Sequence, residues 1–314
     1  MYIGKLGDGT HADDGIYVLL KEVIDNTIDE YMMGYGKQVI VDIEDDRVSV
    51  RDYGRGIPLD KVVDVSSKMN TGAKYDSKAF KKSVGLNGVG IKAVNALSSE
   101  FRIESYRDGE CKSVTYACGN KVEESAIIPT DQNNGTWVCF KPDDTIFVDY
   151  KYREEFVVAL IKNYTYLNLG LTFKLNGQSY VSKNGLLDLL NEKMSDAPLY
   201  APIHLSGDDI EVAITHGSGY GESYDSFVNG QHTIHGGTHQ VALRAAVAKT
   251  VKEFYHKDYD PSDIRTSIMA AISVKVSNPV FENQQKTKFG SREIEPGVSV
   301  NAFVGDFLAK HLDD

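Results

Sequence analysis

Residues 21–30 read Lys-Glu-Val-Ile-Asp-Asn-Thr-Ile-Asp-Glu. At about 100° per residue, their spacing predicts an amphipathic helix that ends near residue 34. One arc is apolar and consists of Leu20, Val23, Ile24, Thr27, Ile28 and Tyr31, whereas the opposite arc consists of Glu22, Asp25, Asn26 and Asp29. Glu22 and Asn26 are helix neighbours because they lie four residues apart. Alone, the pattern indicates a solvated acidic face; the motifs downstream give it a second interpretation.

The bulk composition is that of a soluble globular protein. The chain has 314 residues, 41% hydrophobic and 25% charged, which is enough for two domains. It has no apolar run of about 18 residues and no signal-peptide pattern, so we expect no membrane span. The three cysteines, Cys111, Cys118 and Cys139, lack metal-ligand spacing and indicate reduced thiols in a cytoplasmic protein.

The charge is unevenly distributed. A net charge of −11 argues against a free-standing DNA binder, which usually has a basic surface. Residues 61–92 nevertheless contain seven lysines and two aspartates, a local balance of +5. This basic segment indicates one anionic ligand, although a solvated lysine-rich loop has the same composition.

Two glycine-rich motifs follow the first helix. Residues 39–43 and 48–50 predict a hairpin, and its second strand leads into Asp52 and residues 54–58 (Gly-Arg-Gly-Ile-Pro). Such glycines permit close backbone approach, and the Asp52 carboxylate can accept a hydrogen bond from an exocyclic amine; a plain turn is the alternative. Residues 85–90 (Gly-Leu-Asn-Gly-Val-Gly) open a predicted helix, an arrangement that binds phosphate through backbone N–H groups.

The remaining pattern predicts an α+β protein of two domains, 1–183 and 184–314. Hairpins around residues 108 and 176, a strand over 135–140 and a helix over 153–168 complete an antiparallel sheet with helices on one face. The pattern is interrupted near residues 183–200, which we interpret as the boundary. In the second domain, a strand, a helix over 238–255 and a strand over 268–276 predict a right-handed βαβ crossover.

In this order the motifs resemble the GHKL ATPase superfamily, whose ATP-binding domain is a Bergerat-type α/β sandwich. Longer strings resemble the ATPase subunit of bacterial type II topoisomerases: residues 1–4 (Met-Tyr-Ile-Gly), 22–26 (Glu-Val-Ile-Asp-Asn), 54–58 and 94–98 (Val-Asn-Ala-Leu-Ser). Residues 236–239 (Gly-Gly-Thr-His) and 284–286 (Gln-Gln-Lys) extend the likeness into the second domain, which resembles the family's transducer.

The resemblance implies ATP and Mg²⁺ as cofactors and gives each motif a role. Glu22 becomes the general base for the attacking water, Asn26 the Mg²⁺ ligand, and Asp52 the acceptor for the adenine amino group. Lys286 becomes the second catalytic residue, which contacts the γ-phosphate. The other implied nucleotide-binding residues are Gly54, Gly56, Ile57, Lys74, Gly85, Leu86, Asn87, Gly88, Val89, Gly90, Thr136 and Gln284. Arg55, Pro58 and Arg107 correspond to the outer rim where aminocoumarin inhibitors bind in relatives.

The sequence departs from the family in two places. Many relatives have a histidine one turn before the catalytic glutamate; here the position is Val18, which leaves Tyr17 or water to orient Glu22. The family loop usually reads Gln-Thr-Lys, so the Gln-Gln-Lys of this chain keeps Lys288 open as a substitute for Lys286.

The resemblance also implies partners: the DNA-cleavage subunit in a heterotetramer, duplex DNA, and a second copy of the ATPase domain. Relatives carry an arm ahead of Met-Tyr-Ile-Gly that wraps the second copy, so we expect this chain to be a fragment with weak dimerisation and reduced ATP turnover. Three alternatives stay open: a clamp that binds ATP with little hydrolysis, another GHKL protein such as a MutL-like repair ATPase, and a metal site at His232, His235 and His239. Gyrase and topoisomerase IV are not distinguished.

Overall fold

The computed structural model describes residues 15–68, 89–282 and 286–312. The chain divides into two compact units, Met1–Ser182 and Lys183–Asp314, here called unit 1 and unit 2. Over the described ranges, no helix combines the length and the apolar character needed to cross a membrane. The α+β architecture predicted from the sequence is confirmed.

Unit 1 is built on a sheet to which the described residues contribute nine strands. These are β1 (Gln38–Glu44), β2 (Arg47–Asp52), β3 (Ser98–Arg107), β4 (Glu110–Ala117), β5 (Asn120–Glu124), β6 (Ile128–Pro129), β7 (Gly135–Pro142), β8 (Thr172–Leu175) and β9 (Gln178–Tyr180). Their order is β5-β4-β3-β7-β2-β1-β8-β9, with β6 beside β4. Only the β1–β8 pair is parallel among these neighbours.

The helices of unit 1 pack against one face of this sheet, as predicted. They are α1 (Gly15–Met32), α2 (Val62–Ser67), α3 (Gly90–Ala96) and α4 (Glu154–Leu167). Alternate strand residues, such as Val39 and Val41 in β1 or Phe101 and Ile103 in β3, are buried in the same core as the apolar arc of α1. The turn between β8 and β9 has φ of 46° at Asn176 and 84° at Gly177, which confirms the predicted type I′ hairpin.

The acidic arc of α1 differs from the expectation of a solvated face. Asp25 and Asp29 are 4% and 2% exposed, so both carboxylates lie inside the protein. Asp25 accepts a hydrogen bond from the Tyr164 hydroxyl of α4 and pairs with Lys21. Because buried carboxylates require such partners, α1 is fixed on its polar side as well as on its apolar side.

Unit 2 has a five-stranded sheet in the order β10-β11-β14-β12-β13. Its strands are β10 (Ile203–Gly207), β11 (Ile210–His216), β12 (Ser223–Val228), β13 (Gln231–His232) and β14 (Ile268–Val274), and β15 (Glu293–Glu295) pairs with β16 (Val298–Ser299) separately. Its helices are α5 (Leu186–Lys193), α6 (Thr238–Tyr255), α7 (Pro261–Arg265) and α8 (Val300–Leu312). β12 and β14 are adjacent and parallel, as the predicted crossover through α6 requires.

Helix α5 lies within residues 183–200, where the sequence pattern indicated an interruption. Leu186, Leu189 and Leu190 are spaced i, i+3 and i+4, and all three are buried. This one-sided spacing stabilises a short helix against the unit 2 sheet despite the flanking glycine and asparagine residues.

Candidate functional site

The site is organised along α1, where Glu22, Asn26 and Glu30 follow one another at intervals of four residues. Residues at this spacing lie on one face, so the three side chains form a line. With a rise of about 1.5 Å per residue, Glu22 and Glu30 are about 12 Å apart along the axis. Each end of this line contacts a different glycine motif, and Asn26 lies exposed between them.

At the first end, Glu22 contacts the start of α3. A Cβ added to Gly90 would lie 1.9 Å from Glu22 Oε2, so a side chain here would displace the carboxylate from its present position. Val89 precedes the helix as its N-cap residue. This contact places the proposed general base beside the C-terminal end of the Gly-x-x-Gly-x-Gly motif. The predicted nucleotide-binding residues Lys74, Gly85, Leu86, Asn87 and Gly88 lie outside the described residues, and their roles stay predictions.

At the second end, Asp52 terminates β2 with its carboxylate held by two backbone donors. Oδ1 accepts hydrogen bonds from Gly54 N at 2.8 Å and from Thr136 N at 3.2 Å. Asp52 is 7% exposed, and this burial raises its pKa from 3.8 to about 6, against the lowering effect of the two N–H groups. With Oδ1 engaged by both donors, Oδ2 is the oxygen that can accept a further hydrogen bond. Thr136 positions the Asp52 carboxylate through its backbone N–H group.

The glycines beside Asp52 are required by contacts within the protein. Gly56 has φ of 77°, and a Cβ there would lie 2.4 Å from Tyr106 O. A Cβ on Gly54 would lie 2.8 Å from the Glu30 side chain. Gly135 has φ of 140°, and its Cβ would lie 2.2 Å from Asp52 O. The segment is therefore packed between α1, β3 and β7, which makes the position of Asp52 rigid.

Arg51 contributes to this site, although the sequence analysis did not identify it. Its guanidinium lies between the rings of Tyr53 and Tyr106, at 4.6 and 4.5 Å from their centroids. It donates to Asp52 O and, at 2.6 Å, to Asn133 O. Arg51 is 9% exposed, so a buried cation binds the end of β2 to the segment that leads into β7. The only sequence signal for this role of Arg51 was its position immediately before Asp52.

The predicted rim residues lie against the same glycine segment. Arg55 binds the Glu30 carboxylate through Nε at 3.1 Å and Nη2 at 2.9 Å, and its own backbone N donates to that carboxylate at 3.0 Å. Arg107 Nη1 donates to Gly56 O at 3.1 Å. Ile57 O accepts from Ser105 Oγ at 2.6 Å, and Pro58 precedes a single 3-10 turn, Leu59–Lys61. Both arginines are thus fixed beside the Asp52 motif.

Tyr17 does not orient Glu22. Its ring is 2% exposed and packs edge-on against Tyr152 and Phe156 in the core. Its hydroxyl accepts from Arg153 N at 2.9 Å and donates to Lys151 O at 3.4 Å. The hydroxyl is therefore engaged elsewhere, and the Glu22 carboxylate lies against Gly90.

Lys286 lies in unit 2 with φ of 57°. Gln284 lies outside the described residues. Lys288, the alternative lysine, pairs with Glu282 at 2.8 Å. The assignment of Lys286 to the γ-phosphate stays a prediction.

The histidine cluster of unit 2 does not form a metal site among the described residues, where no group of three or more potential ligands converges. His232 stacks on Phe227 with centroids 4.8 Å apart. His239 is fully buried against Phe289 instead of facing the other histidines.

Comparison with protein families matches both units. Residues 11–146 match the model described as "Histidine kinase-, DNA gyrase B-, and HSP90-like ATPase", and residues 178–314 match "DNA gyrase B". The chain is 47% identical over 99% of its length to the B subunit of DNA topoisomerase 4 of Borreliella burgdorferi, of which it covers 52%. It is 33% identical over 94% of its length to DNA gyrase B of Streptococcus pyogenes serotype M1, of which it covers 50%. The chain therefore spans about half the length of these curated relatives.

Solved structures show the same fold. The 43K ATPase domain of Thermus thermophilus gyrase B, in complex with an aminocoumarin, has a TM-score of 0.77 and 26% identity, covering 100% of this chain and 87% of that one. The ATPase region of Saccharomyces cerevisiae topoisomerase II has a TM-score of 0.77 at 20% identity, covering 95% of this chain and 83% of that one.

Proposed function

We propose that this chain belongs to the family of type II DNA topoisomerase ATPase subunits, and that it binds ATP along α1 of unit 1 and hydrolyses it. The observation that carries this proposal is that two chemically different motifs lie against the two ends of one face of α1. The buried, fixed carboxylate of Asp52 suits the amino group of a nucleobase, whereas the glycine motif that ends at Gly90, beside Glu22, suits a terminal phosphate. The Asp52 segment lies at the Glu30 end of α1, because Gly54 packs against the Glu30 side chain, and Glu22 lies about 12 Å along the axis from Glu30.

Asp52 provides recognition of the adenine. Its Oδ2 accepts a hydrogen bond from the exocyclic amino group, while Gly54 N and Thr136 N hold Oδ1 in place. Buried acceptors of this kind discriminate strongly, because a ligand without the matching donor leaves them unpaired. The contacts of Arg51, Gly56 and Gly135 hold Asp52 and its segment in this position.

The residues of α1 fit Mg²⁺. Asn26 Nδ2 donates to Glu22 O at 3.1 Å within the helix, so the amide oxygen is the atom that Asn26 presents to a hard cation. When bound, Mg²⁺ neutralises charge on the phosphates. Asn26 would hold it by one oxygen, beside the Glu22 carboxylate one turn away.

Glu22 acts as the general base that takes a proton from the water attacking the γ-phosphate. The carboxylate lies beside Gly90, at the start of α3. Lys286 is the residue that we propose to contact the γ-phosphate, which makes binding sensitive to the presence of that phosphate. Phosphoryl transfer depends mainly on such positioning and charge neutralisation.

In the whole protein, nucleotide binding and release drive dimerisation of the ATPase units and passage of duplex DNA, together with a DNA-cleavage subunit. This assignment rests on the relatives, of which the chain covers about half. Arg55, Pro58 and Arg107 form the rim against which an aminocoumarin lies, in keeping with the ligand of the Thermus structure.

Substitution of Glu22 by glutamine separates hydrolysis from binding. The variant keeps the shape of the side chain but cannot accept the proton, so we expect turnover to fall at least 100-fold while binding of a non-hydrolysable ATP analogue changes less than threefold. Steady-state ATPase assays and calorimetric titration measure the two quantities. Asp60→Asn is the matched control, because Asp60 is an exposed acid outside the site. Turnover that persists in Glu22→Gln contradicts the assignment of the base.

A further inference from the structure

Lys286 is carried by a loop whose two arms are paired with each other. Glu282 N donates to Lys288 O at 3.0 Å, and Gly290 N donates to Val280 O at 2.8 Å. The Lys288–Glu282 ion pair closes the same end of the loop. Lys286 therefore lies beyond the last cross-arm bond of the described residues.

The second arm of this loop is bonded on its other side to residues 235–239 (His-Gly-Gly-Thr-His), here called the 235–239 turn. His235 N donates to Thr287 O at 2.9 Å, the carbonyl immediately after Lys286. Further along, Phe289 N donates to Gly236 O at 3.0 Å and Thr238 N donates to Phe289 O at 3.1 Å. The turn thus pairs with the arm that carries Lys286.

The side chain of Thr238 adds a bond to this pairing. Its Oγ1 donates to Ser291 O at 2.6 Å, from the first residue of α6. This bond fixes the arm to the helix at a point that does not depend on the main-chain bonds of the turn. It is also the bond that a substitution can remove with little change of shape.

The arm and the turn approach too closely for any side chain at Gly237. This residue has φ of 148°, and a Cβ would lie 2.4 Å from Phe289 O. Phe289 also contacts His239, whose fully buried ring packs edge-on against it with centroids 5.2 Å apart. His239 Nε2 lies 3.2 Å from Thr233 Oγ1, which in turn lies 2.8 Å from Ser226 O.

Lys286 needs such support because its φ of 57° is uncommon for a residue with a side chain. Conformations of this kind persist where neighbouring contacts fix the backbone. The bond to Thr287 O fixes the backbone one residue away, and the bonds at Phe289 and Ser291 fix the rest of the arm.

We propose that the 235–239 turn, with Thr238 as its side-chain contact, positions Lys286 for the terminal phosphate. This inference rests on the proposed role of Lys286. Thr238 is a positioning residue that acts through the loop. Its loss lowers the preference for ATP over ADP and leaves the recognition of adenine by unit 1 unchanged.

The test compares Thr238→Val, which is close in shape but lacks the hydroxyl, with Thr238→Ser, which keeps it. Calorimetric titration with a non-hydrolysable ATP analogue and with ADP gives a ratio of affinities for each protein. We expect Lys286→Ala to reduce this ratio about tenfold or more, since it removes a charged contact. Thr238→Val should reduce it about fivefold with ADP affinity unchanged, and Thr238→Ser should restore it.

A double variant, Lys286→Ala with Thr238→Val, distinguishes positioning from general destabilisation. If Thr238 acts through Lys286, the double variant has the ratio of Lys286→Ala alone, because interacting residues are not additive. Independent, additive losses overturn the inference, as does an unchanged ratio in Thr238→Val when Lys286→Ala lowers it. An unchanged ratio in Lys286→Ala refutes the phosphate contact itself, and with it the proposed role on which the inference rests.

Discussion

Replacement of Asp52 by asparagine should change stability and nucleotide binding in opposite directions. Burial raises the Asp52 pKa from 3.8 to about 6, so the folded state binds a proton more tightly than the unfolded state does. The stability contributed by this proton is full below pH 3.8 and is lost as the pH rises through 6. At pH 8 the ionised carboxylate costs roughly 3 kcal/mol, at 1.36 kcal/mol per pKa unit.

Asparagine removes that cost and keeps an oxygen for the two backbone donors. The preference of Gly54 N and Thr136 N for a charged acceptor is already contained in the pKa of about 6, so it is not subtracted again. We therefore expect Asp52→Asn to unfold with a free energy about 3 kcal/mol higher at pH 8 in the absence of nucleotide. At pH 4, where Asp52 is protonated in the native protein, the two proteins should differ little.

Binding should respond in the other direction. In the variant an NH₂ group replaces Oδ2, so a donor faces the adenine amino group where an acceptor is needed. The loss of this bond and the unpaired donor weaken binding of an ATP analogue roughly 100-fold. In the native protein, protonation of Asp52 should likewise weaken binding as the pH falls below about 6.

Urea unfolding at pH 8 and pH 4, together with calorimetric titration at pH 8, measures both effects. Asp60→Asn controls for the change in net charge, because Asp60 is exposed. The reasoning is refuted by an Asp52→Asn variant that binds the analogue normally. It is refuted equally by a variant that is less stable than the native protein at pH 8, since burial would then not be the main cause of the raised pKa.

Two further predictions follow from buried contacts. Gly90→Ala should weaken ATP-analogue binding and turnover at least tenfold. The reason is that the new Cβ would lie 1.9 Å from Glu22 Oε2 and must displace that carboxylate. Turnover retained in an ATPase assay would contradict this prediction. Burial lowers the His239 pKa to about 3, so its stabilising contribution is full above pH 6.5 and is lost as the pH falls towards 3. Between pH 7 and pH 5 the native protein should therefore lose roughly 2 kcal/mol more than His239→Gln in urea unfolding, and equal losses would exclude this cause.

Local patterns in the sequence predicted much of the fold. The apolar arc of α1, the Asn176-Gly177 hairpin and the strand-helix-strand order of unit 2 all depend on neighbours within a few residues. Short-range periodicity and turn chemistry are sufficient for such elements. Helix α5 could also have been recognised from the spacing of Leu186, Leu189 and Leu190, but the flanking turn residues outweighed it.

Features that depend on distant residues were not predictable. The cost of burying Asp25 is offset by a hydrogen bond from Tyr164, which lies 139 residues away. Nothing in residues 21–30 indicates that partner. Arg51 lies between Tyr53 and Tyr106 because β7 places β3 near β2 in the sheet. The glycine motifs signalled close approach, but the sequence did not reveal that Gly54, Gly56 and Gly135 approach the protein itself.

The most direct test of ATP binding along α1 is the structure of this chain with a non-hydrolysable ATP analogue and Mg²⁺. We expect the adenine amino group within hydrogen-bond distance of Asp52 Oδ2 and the terminal phosphate beside Glu22 and Gly90. We also expect Mg²⁺ at the amide oxygen of Asn26. An analogue bound with its adenine at the Glu22 end, or away from α1 altogether, would contradict the proposed binding mode.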